Sequence, residues 1–240
     1  MKAIWFLLLL PFLLTSAHAA PQVLDSGPRQ VTLLELYTSQ GCSSCPPAER
    51  WLNEYVADED LWTAIVPLAL HVDYWDYIGW KDPYARPEHG RRQRAYERSG
   101  LARSVYTPGV FVNGREWRGW TRGLPPGASD ALPGNLRVQI EASLITAAFP
   151  SSDESLELHV VVLGFGIETH VLRGENSNRT LRQEFVVLDH AVHSTTDGRW
   201  TVPRPALPAE ADRYAIVFWV SSAGEPRPLQ ATGAWLSRSE

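Results

Sequence analysis

The chain has 240 residues, a formal net charge of −5 at pH 7 and only 2 cysteines. This length is enough for one large or two small domains with their own cores. The acidic balance gives no reason to expect a nucleic acid as partner, because nucleic-acid binding calls for clustered positive charge.

The first residues have the layout of a secretory signal peptide. Lys2 precedes an apolar run at residues 4–14, and small residues follow up to Ala19. We therefore predict a signal peptide at residues 1–19, cleaved after Ala19 or Ala20. The alternative is an uncleaved membrane anchor, for which the run is short. Export predicts a periplasmic or secreted protein without stable membrane insertion after cleavage, in a compartment where disulfides persist.

Strands and helices alternate along the next part of the chain, from residue 20 to residue 149. Near-continuous apolar runs predict buried strands, and proline pairs and amphipathic spacing predict helices. This order predicts an α/β fold, a mixed sheet covered by helices. The predicted elements are a strand at residues 31–37, a helix opened by Pro46-Pro47, a strand at 65–75, a helix at 91–100, a hairpin turning at Asn113-Gly114 and an amphipathic helix at 136–149.

The composition changes after Phe149. A polar break is followed by short segments rich in Val, Thr and aromatic residues, which are typical of strands. We therefore predict three regions: the signal peptide at 1–19, an α/β domain at 20–149 and a β-rich C-terminal domain at 150–240. The two domains are expected to pack against each other, since no long linker separates them.

Both cysteines lie in the stretch "TSQGCSSCPPAE", at the turn between the first strand and the first helix. A helix N-terminus stabilises a thiolate, so Cys42 is expected to have a lowered pKa. Cys45 lies one helical turn further on, within reach of Cys42. We predict that Cys42 attacks a disulfide and that Cys45 resolves the resulting mixed disulfide.

Other uses of the two cysteines remain open. A structural staple is a weak explanation, because so small a loop removes little entropy from the unfolded chain. A zinc site needs four ligands, and no metal-ligand spacing ties His71, His190 or His193 to the cysteines. Cu(I) needs fewer ligands and prefers thiolates, so a copper-binding or copper-delivery module is an alternative. A non-catalytic binding domain with a permanent disulfide is another.

A CxxC pair beside a strand–helix–strand pattern resembles the thioredoxin superfamily. In that superfamily a cis-proline lies against the cysteines at the start of the hairpin strand. "TPGVFVNG" places Pro108, preceded by Thr107, at the matching position. The resemblance implies a cis bond there, with Pro108 positioning the partner's backbone. It also implies a buried acid that takes a proton from the second cysteine, and Glu35 on the first strand is the candidate.

A more specific resemblance covers nearly the whole chain after the signal peptide. "ELYTSQGCSSCPPAE", "HVDYWDYIGWKDPYA", "RQRAYERSG", "VYTPGVFVNG" and "RGENSNRTL" together resemble exported bacterial proteins of domain-of-unknown-function family number 1223. This similarity implies a thioredoxin-like domain with a β-rich C-terminal extension, and it implies no substrate.

From the chemistry of the cysteines we predict an exported thiol-disulfide oxidoreductase. Its partner would be a client protein or a small thiol or disulfide, and neither an organic cofactor nor a metal is expected. Aromatic residues of the predicted loops would either form an apolar groove for that partner or pack the loops and the domain interface. These aromatic residues are Trp75, Tyr77, Trp80, Tyr84, Trp117 and Trp120.

Overall fold

The computed structural model of the chain describes residues 20–150, 154–208 and 211–236. The predicted signal peptide at residues 1–19 lies outside these described residues. Within them, no helix has both the length and the apolar character that crossing a membrane requires.

The described residues form a β-rich protein with mixed sheets and few helices. Two α-helices are present, α1 at Pro46–Asn53 and α2 at Pro87–Arg98. Short 3-10 helices occur at Glu54–Ala57, Asp73–Ile78 and Gly119–Arg122. The strands are β1 Gln22–Asp25, β2 Thr32–Thr38, β3 Ile65–His71, β4 Gly109–Val112, β5 Arg115–Glu116, β6 Arg137–Ile140, β7 Leu144–Ala148, β8 Leu156–Phe165, β9 Ile167–Val171, β10 Arg179–Gln183, β11 Val186–Thr195, β12 Arg199–Pro203, β13 Arg213–Ser222 and β14 Pro228–Leu236.

The elements around the cysteines follow the predicted order. β2 is parallel to β3 and antiparallel to β4, and β4 continues into β5 through a hairpin. Asn113 and Gly114 have positive φ angles of 47° and 77°. Asparagine and glycine tolerate this conformation, which two-residue hairpin turns require. The predicted hairpin is confirmed.

The helix predicted at residues 136–149 is wrong, because this segment is an antiparallel hairpin of β6 and β7. Val138 and Ile140 are buried on one arm, and Ile145 and Ala147 are buried on the other. Apolar residues therefore recur every second position within each arm, as in strands. The turn between the arms shifts the alternation of apolar residues in the second arm relative to the first. The combined spacing of apolar residues therefore resembles a helical period.

The sheets do not divide at residue 150. An eight-stranded sheet has the order β14-β13-β8-β11-β3-β2-β4-β5. β11 joins its two halves, with Val186 in parallel register with Ala69. A four-stranded sheet, β1-β6-β7-β12, likewise combines strands from both sides of residue 150. Strands from both predicted regions, 20–149 and 150–240, therefore share these two sheets, and the described residues after 156 contain strands and no helix, as expected.

Both faces of the central strands β8 and β13 are covered. One face of β8, carrying Val161 and Leu163, packs in a core with residues of β2, β3 and α1. The other face, carrying Val160 and Val162, packs in a second core with the four-stranded sheet. Because consecutive strand residues point to opposite faces, strands buried on both faces read as continuous apolar runs. The C-terminal strands thus form one wall of the core that supports β2 and the cysteines.

Candidate functional site

The two cysteines lie where β2 gives way to α1. Cys45 is the N-cap of α1, and prolines occupy the first helical positions, where an N–H group has no partner to lose. The Cys42 N–H donates to the Ser39 carbonyl at 3.1 Å, and the Cys45 N–H donates to the Cys42 carbonyl at 3.2 Å. Both cysteines are free thiols, and they are 1% and 0% exposed.

Hydrogen bonds hold the pKa of Cys42 well below its ordinary value. A hydrogen bond with Cys45 is the main cause, and burial opposes it. The side chains of Ser44 and Thr107 also bond to the sulfur, and the Ser44 oxygen lies 3.2 Å from it. Together these groups lower the pKa of Cys42 from 9.0 to about 6. A large fraction of Cys42 is therefore thiolate at neutral pH.

The pKa of Cys45 moves in the opposite direction. Burial raises this pKa well above the ordinary value, and the neighbouring Cys42 raises it further. A Thr38 hydrogen bond lowers the pKa of Cys45, but by less. The pair is therefore asymmetric, with an acidic thiol at Cys42 and a protonated thiol at Cys45.

The predicted cis bond between Thr107 and Pro108 is confirmed. The bond directly precedes β4. Thr107 contacts Cys42, and its hydroxyl oxygen accepts a hydrogen bond from the Trp75 indole N–H at 2.6 Å. This bond leaves the Thr107 hydroxyl proton free to be donated to the Cys42 sulfur. The role predicted for Pro108, to position a partner's backbone, stays a prediction.

Glu35 lies on the face of β2 that points away from the cysteines. Its carboxylate forms a buried ion pair with Arg92 of α2 at 2.7 Å, and the hydroxyl groups of Tyr37 and Tyr96 also donate to it. Thr38, which bonds to Cys45, points to the opposite face, because side chains alternate along a strand. The contacts of Glu35 therefore do not fit the predicted role as proton acceptor for Cys45.

A different buried carboxylate, Glu49, lies beside Cys45. Its side chain accepts a hydrogen bond from the Thr38 hydroxyl at 2.6 Å and another from the Gln183 amide at 3.0 Å. Burial is the main reason that the pKa of Glu49 is raised. Glu49 was not among the site residues predicted from the sequence. Its signal was the spacing of four residues from Cys45, which places both side chains on one helix face.

A buried histidine–aspartate pair lies behind Glu49. His71 Nδ1 is 2.7 Å from the Asp82 carboxylate, and both side chains are almost fully buried. Burial alone would lower the pKa of His71, but Asp82 and Glu49 raise it overall. The charge of protonated His71 in turn favours an ionised Glu49. Three buried titratable side chains, Glu49, His71 and Asp82, therefore influence one another's pKa values on the inner side of the cysteines.

A segment from the C-terminal half reaches over the cysteine loop. The Asn176 amide donates to the carbonyl oxygens of Gln40 and Cys42, both at 2.9 Å. The Glu175 carboxylate accepts from the Ser43 N–H at 2.9 Å and from the Ser43 hydroxyl at 2.7 Å. These residues belong to the stretch "RGENSN", noted in the sequence but given no role there.

The aromatic residues near the site mainly pack and brace it. Trp80 donates its indole N–H to Gln40 at 3.1 Å, as Trp75 does to Thr107. Trp117 packs against Trp51 of α1, with 5.7 Å between the ring centroids. Tyr77 is the exception, since it is 82% exposed. Packing therefore accounts for Trp75, Trp80 and Trp117, and Tyr77 is free to contact a partner.

The described part of the chain contains no group of three or more His, Cys, Asp and Glu side chains arranged as metal ligands. His71 is paired with Asp82, and His190 is paired with His159 at 2.9 Å between ring nitrogens. The thiols of Cys42 and Cys45 are thus the candidate ligands for a soft ion such as Cu(I).

Comparisons with known proteins relate the chain to a family and to two solved structures. A family model described as "Protein of unknown function (DUF1223)" matches residues 33–221. No curated protein matches the chain significantly. A crystal structure of a protein from Agrobacterium tumefaciens is 24% identical, with a TM-score of 0.60, and the match covers 88% of this chain and 97% of that one. HBP35 of Porphyromonas gingivalis is 14% identical, with a TM-score of 0.56, over 88% of this chain and 77% of that one. At these identities the two structures show a shared fold alone.

Proposed function

The chain belongs to the DUF1223 family, whose function is unknown, and we propose from the chemistry of its site that it is an exported thiol-disulfide oxidoreductase with a thioredoxin-like core. The observation that carries this proposal is the asymmetry of the cysteine pair. Hydrogen bonds lower the pKa of Cys42 to about 6, whereas burial raises that of Cys45. Disulfide exchange needs this combination of one thiolate that attacks first and one protonated thiol that attacks in the second step.

The topology around the site supports the thioredoxin-like core. The order β3-β2-β4-β5 combines one parallel and two antiparallel pairings, and α1 with its cysteines follows β2. A cis bond at Thr107-Pro108 precedes the strand that is antiparallel to β2. The predicted third helix is absent from this core, because β6 and β7 take its place in the chain. We propose that β8, β11 and β13 supply the packing that such a helix would otherwise provide.

The first chemical step is attack by the Cys42 thiolate on one sulfur of a client disulfide. A bond forms between the Cys42 sulfur and that sulfur, the client's S–S bond breaks, and the second client sulfur leaves as a thiolate. Ser44 and Thr107 stabilise the thiolate before attack through their hydroxyl groups.

The second step resolves this mixed disulfide. Cys45 gives up its proton, attacks the Cys42 sulfur and releases the other client sulfur as a thiolate, so that the client is reduced and the pair is oxidised. We propose Glu49 in place of Glu35 as the proton acceptor, reached through the Thr38 hydroxyl that contacts both groups. A raised pKa brings Glu49 closer to the range where a carboxylate can take a thiol proton. The same steps run backwards when a client dithiol meets the oxidised pair.

The proposal is tested by trapping the mixed disulfide in the exported protein. Cys45→Ser removes the resolving thiol but keeps a hydroxyl donor for Cys42, so attack should proceed and stop at a covalent complex. Non-reducing gels and mass spectrometry should show client proteins or small thiols linked to Cys42. Cys42→Ser is the matched control and should trap nothing. If Cys45→Ser also yields no linked thiol, and the wild type binds Cu(I) through both sulfurs, the copper alternative replaces this proposal.

A further inference from the structure

β9 and β10 form a two-stranded hairpin outside the large sheet. We call residues 172–178, which connect the two strands, the hairpin tip. The base of the hairpin is fixed in the protein by Gln183, which is 1% exposed and bonds to both Gln40 and Glu49. Asn53 of α1 also donates to the Arg182 carbonyl at 3.1 Å. Buried polar contacts therefore fix the base of the hairpin, and the hairpin tip extends from that base.

The hairpin tip lies on the cysteine loop and is held there by polar contacts. Asn176 is buried, with its amide bonded to the Cys42 carbonyl, and Glu175 bonds to the N–H and hydroxyl of Ser43, the residue after Cys42. Gly174 approaches the opposite rim closely, since a Cβ there would lie 3.0 Å from the Ile78 side chain. The tip thus spans from the cysteine loop to the 3-10 helix at Asp73–Ile78.

The burial of Cys42 conflicts with attack on a large substrate. Only 1% of the residue is exposed, yet its sulfur must come within bonding distance of a client's disulfide. The walls on the Cys45 side of the pair, formed by Thr38, Glu49 and Cys45 itself, belong to the buried core. The tip differs from those walls, because Leu172, Arg173, Glu175 and Ser177 are exposed to solvent. Opening the tip therefore disrupts less packing than opening any of those core walls.

We propose that the hairpin tip is a lid, which closes over Cys42 and must leave the cysteine loop before a client disulfide can enter. This inference rests on the proposed oxidoreductase function and adds an autoinhibitory contact to it. Glu175 occupies the hydrogen-bond donors of Ser43. An extended client chain has carbonyl oxygens that can accept from the same donors, so client binding and lid closure compete for them.

The lid predicts that access to Cys42 depends on Glu175 and on the size of the reagent. Glu175→Ala removes both bonds to Ser43 and should raise the rate of alkylation of Cys42 by a bulky maleimide about tenfold. The rate with small iodoacetamide should rise much less. Glu168→Gln is the matched control, since Glu168 is an exposed acid on β9 whose side chain faces Arg182 at 3.8 Å. This control should leave both rates unchanged.

The comparison of two reagents separates the lid from a simple charge effect. Loss of the Glu175 charge could also lower the pKa of Cys42, but a lower pKa would accelerate both reagents equally. Equal acceleration, or no acceleration of either reagent by Glu175→Ala, would overturn the lid. The proposed function fails by a different result, in which the wild-type Cys42 reacts no faster than Cys45 with iodoacetamide. Exchange of the Ser43 amide hydrogen gives a second measure, and it should be faster in Glu175→Ala than in the control.

Discussion

At the scale of single residues, the site depends on which neighbours each cysteine has. Cys42 and Cys45 are equally buried, so burial alone would raise both pKa values. The pKa of Cys42 is nevertheless lowered, because hydrogen-bond donors surround its sulfur, and Cys45 is itself one of these donors. The proton of Cys45 thus stabilises the thiolate of Cys42. The sequence predicted a low pKa for Cys42 from the helix N-terminus, but the donors Ser44 and Thr107 came to light only in the structure.

Cys45→Ala should raise the pKa of Cys42, because it removes the donor that contributes most to the lowering. A hydrogen bond to a charged group is worth about 1.5 to 3 kcal/mol, which corresponds to about one to two pKa units. The wild-type alkylation rate should rise with pH through a midpoint near 6 and level off above it. In Cys45→Ala the midpoint should move upward, and absorbance of the thiolate near 240 nm should follow the same curve. Cys45→Ser keeps a donor and should move less, and equal midpoints in all three proteins would refute this account.

The two buried carboxylates Glu49 and Glu35 should respond differently to the same substitution. Glu49→Gln removes the proposed proton acceptor, so release of a model mixed disulfide by Cys45 should slow on the order of 100-fold at neutral pH. Stopped-flow measurement across pH should show that the slowing shrinks as hydroxide takes over at high pH.

Glu35→Gln is the control, because it leaves the cysteines' face of β2 intact. It breaks the buried ion pair with Arg92 and should cost about 3 to 5 kcal/mol of unfolding free energy. Its rate of resolution should stay near that of the wild type. The opposite pattern, with resolution slowed by Glu35→Gln alone, would return the role to Glu35.

At the scale of secondary structure elements, local signals were sufficient for part of the fold. Apolar runs identified β2 and β3, and Asn113-Gly114 identified the turn between β4 and β5. The segment 136–149 was misread, because two short strands joined by a turn can imitate a helical period. Partners distant in the sequence could not be predicted, since nothing local pairs Val186 with Ala69 or brings Glu175 to Ser43. The cysteine pair was thus found from sequence, and its covering hairpin was not.

Gly233 of β14 should be intolerant of a side chain. A Cβ there would lie 2.7 Å from the Trp62 ring and 3.1 Å from Val217, both in the shared core. Overpacking of this kind costs about 1 to 3 kcal/mol, so Gly233→Ala should lower the midpoint of urea unfolding without changing its slope. Gly127→Ala is the control, since a Cβ at residue 127 would meet nothing within 4 Å. A Gly233→Ala protein as stable as this control would show that β14 and Trp62 are not packed as described.

At the scale of the whole molecule, the two halves of the chain share their sheets and their core. β1, from the N-terminal end, pairs with β6, and β12, from the C-terminal half, completes the same four-stranded sheet. In the larger sheet, β11 covers the edge of β3, and the Ala69 N–H donates to the Phe185 carbonyl oxygen at 2.8 Å. Residues of β8, β11, β13 and β14 pack in one core with β2, β3 and α1. The strands after residue 156 are therefore part of the scaffold that holds Cys42 and Cys45.

Residues 20–149 alone should not form a stable protein. Without residues 150–240 the edge of β3 is uncovered, the core loses Phe165, Phe185 and Trp219, and Glu49 loses its hydrogen bond from Gln183. Exposed apolar surface and an unpaired strand edge both favour aggregation or unfolding. Circular dichroism and intrinsic fluorescence should show one coincident unfolding transition for residues 20–240 and none for the fragment. Mixing the fragment with residues 150–240 should restore structure if the shared sheet is the cause. A fragment that unfolds cooperatively by itself, at the midpoint of the full chain, would show that the two halves are independent after all.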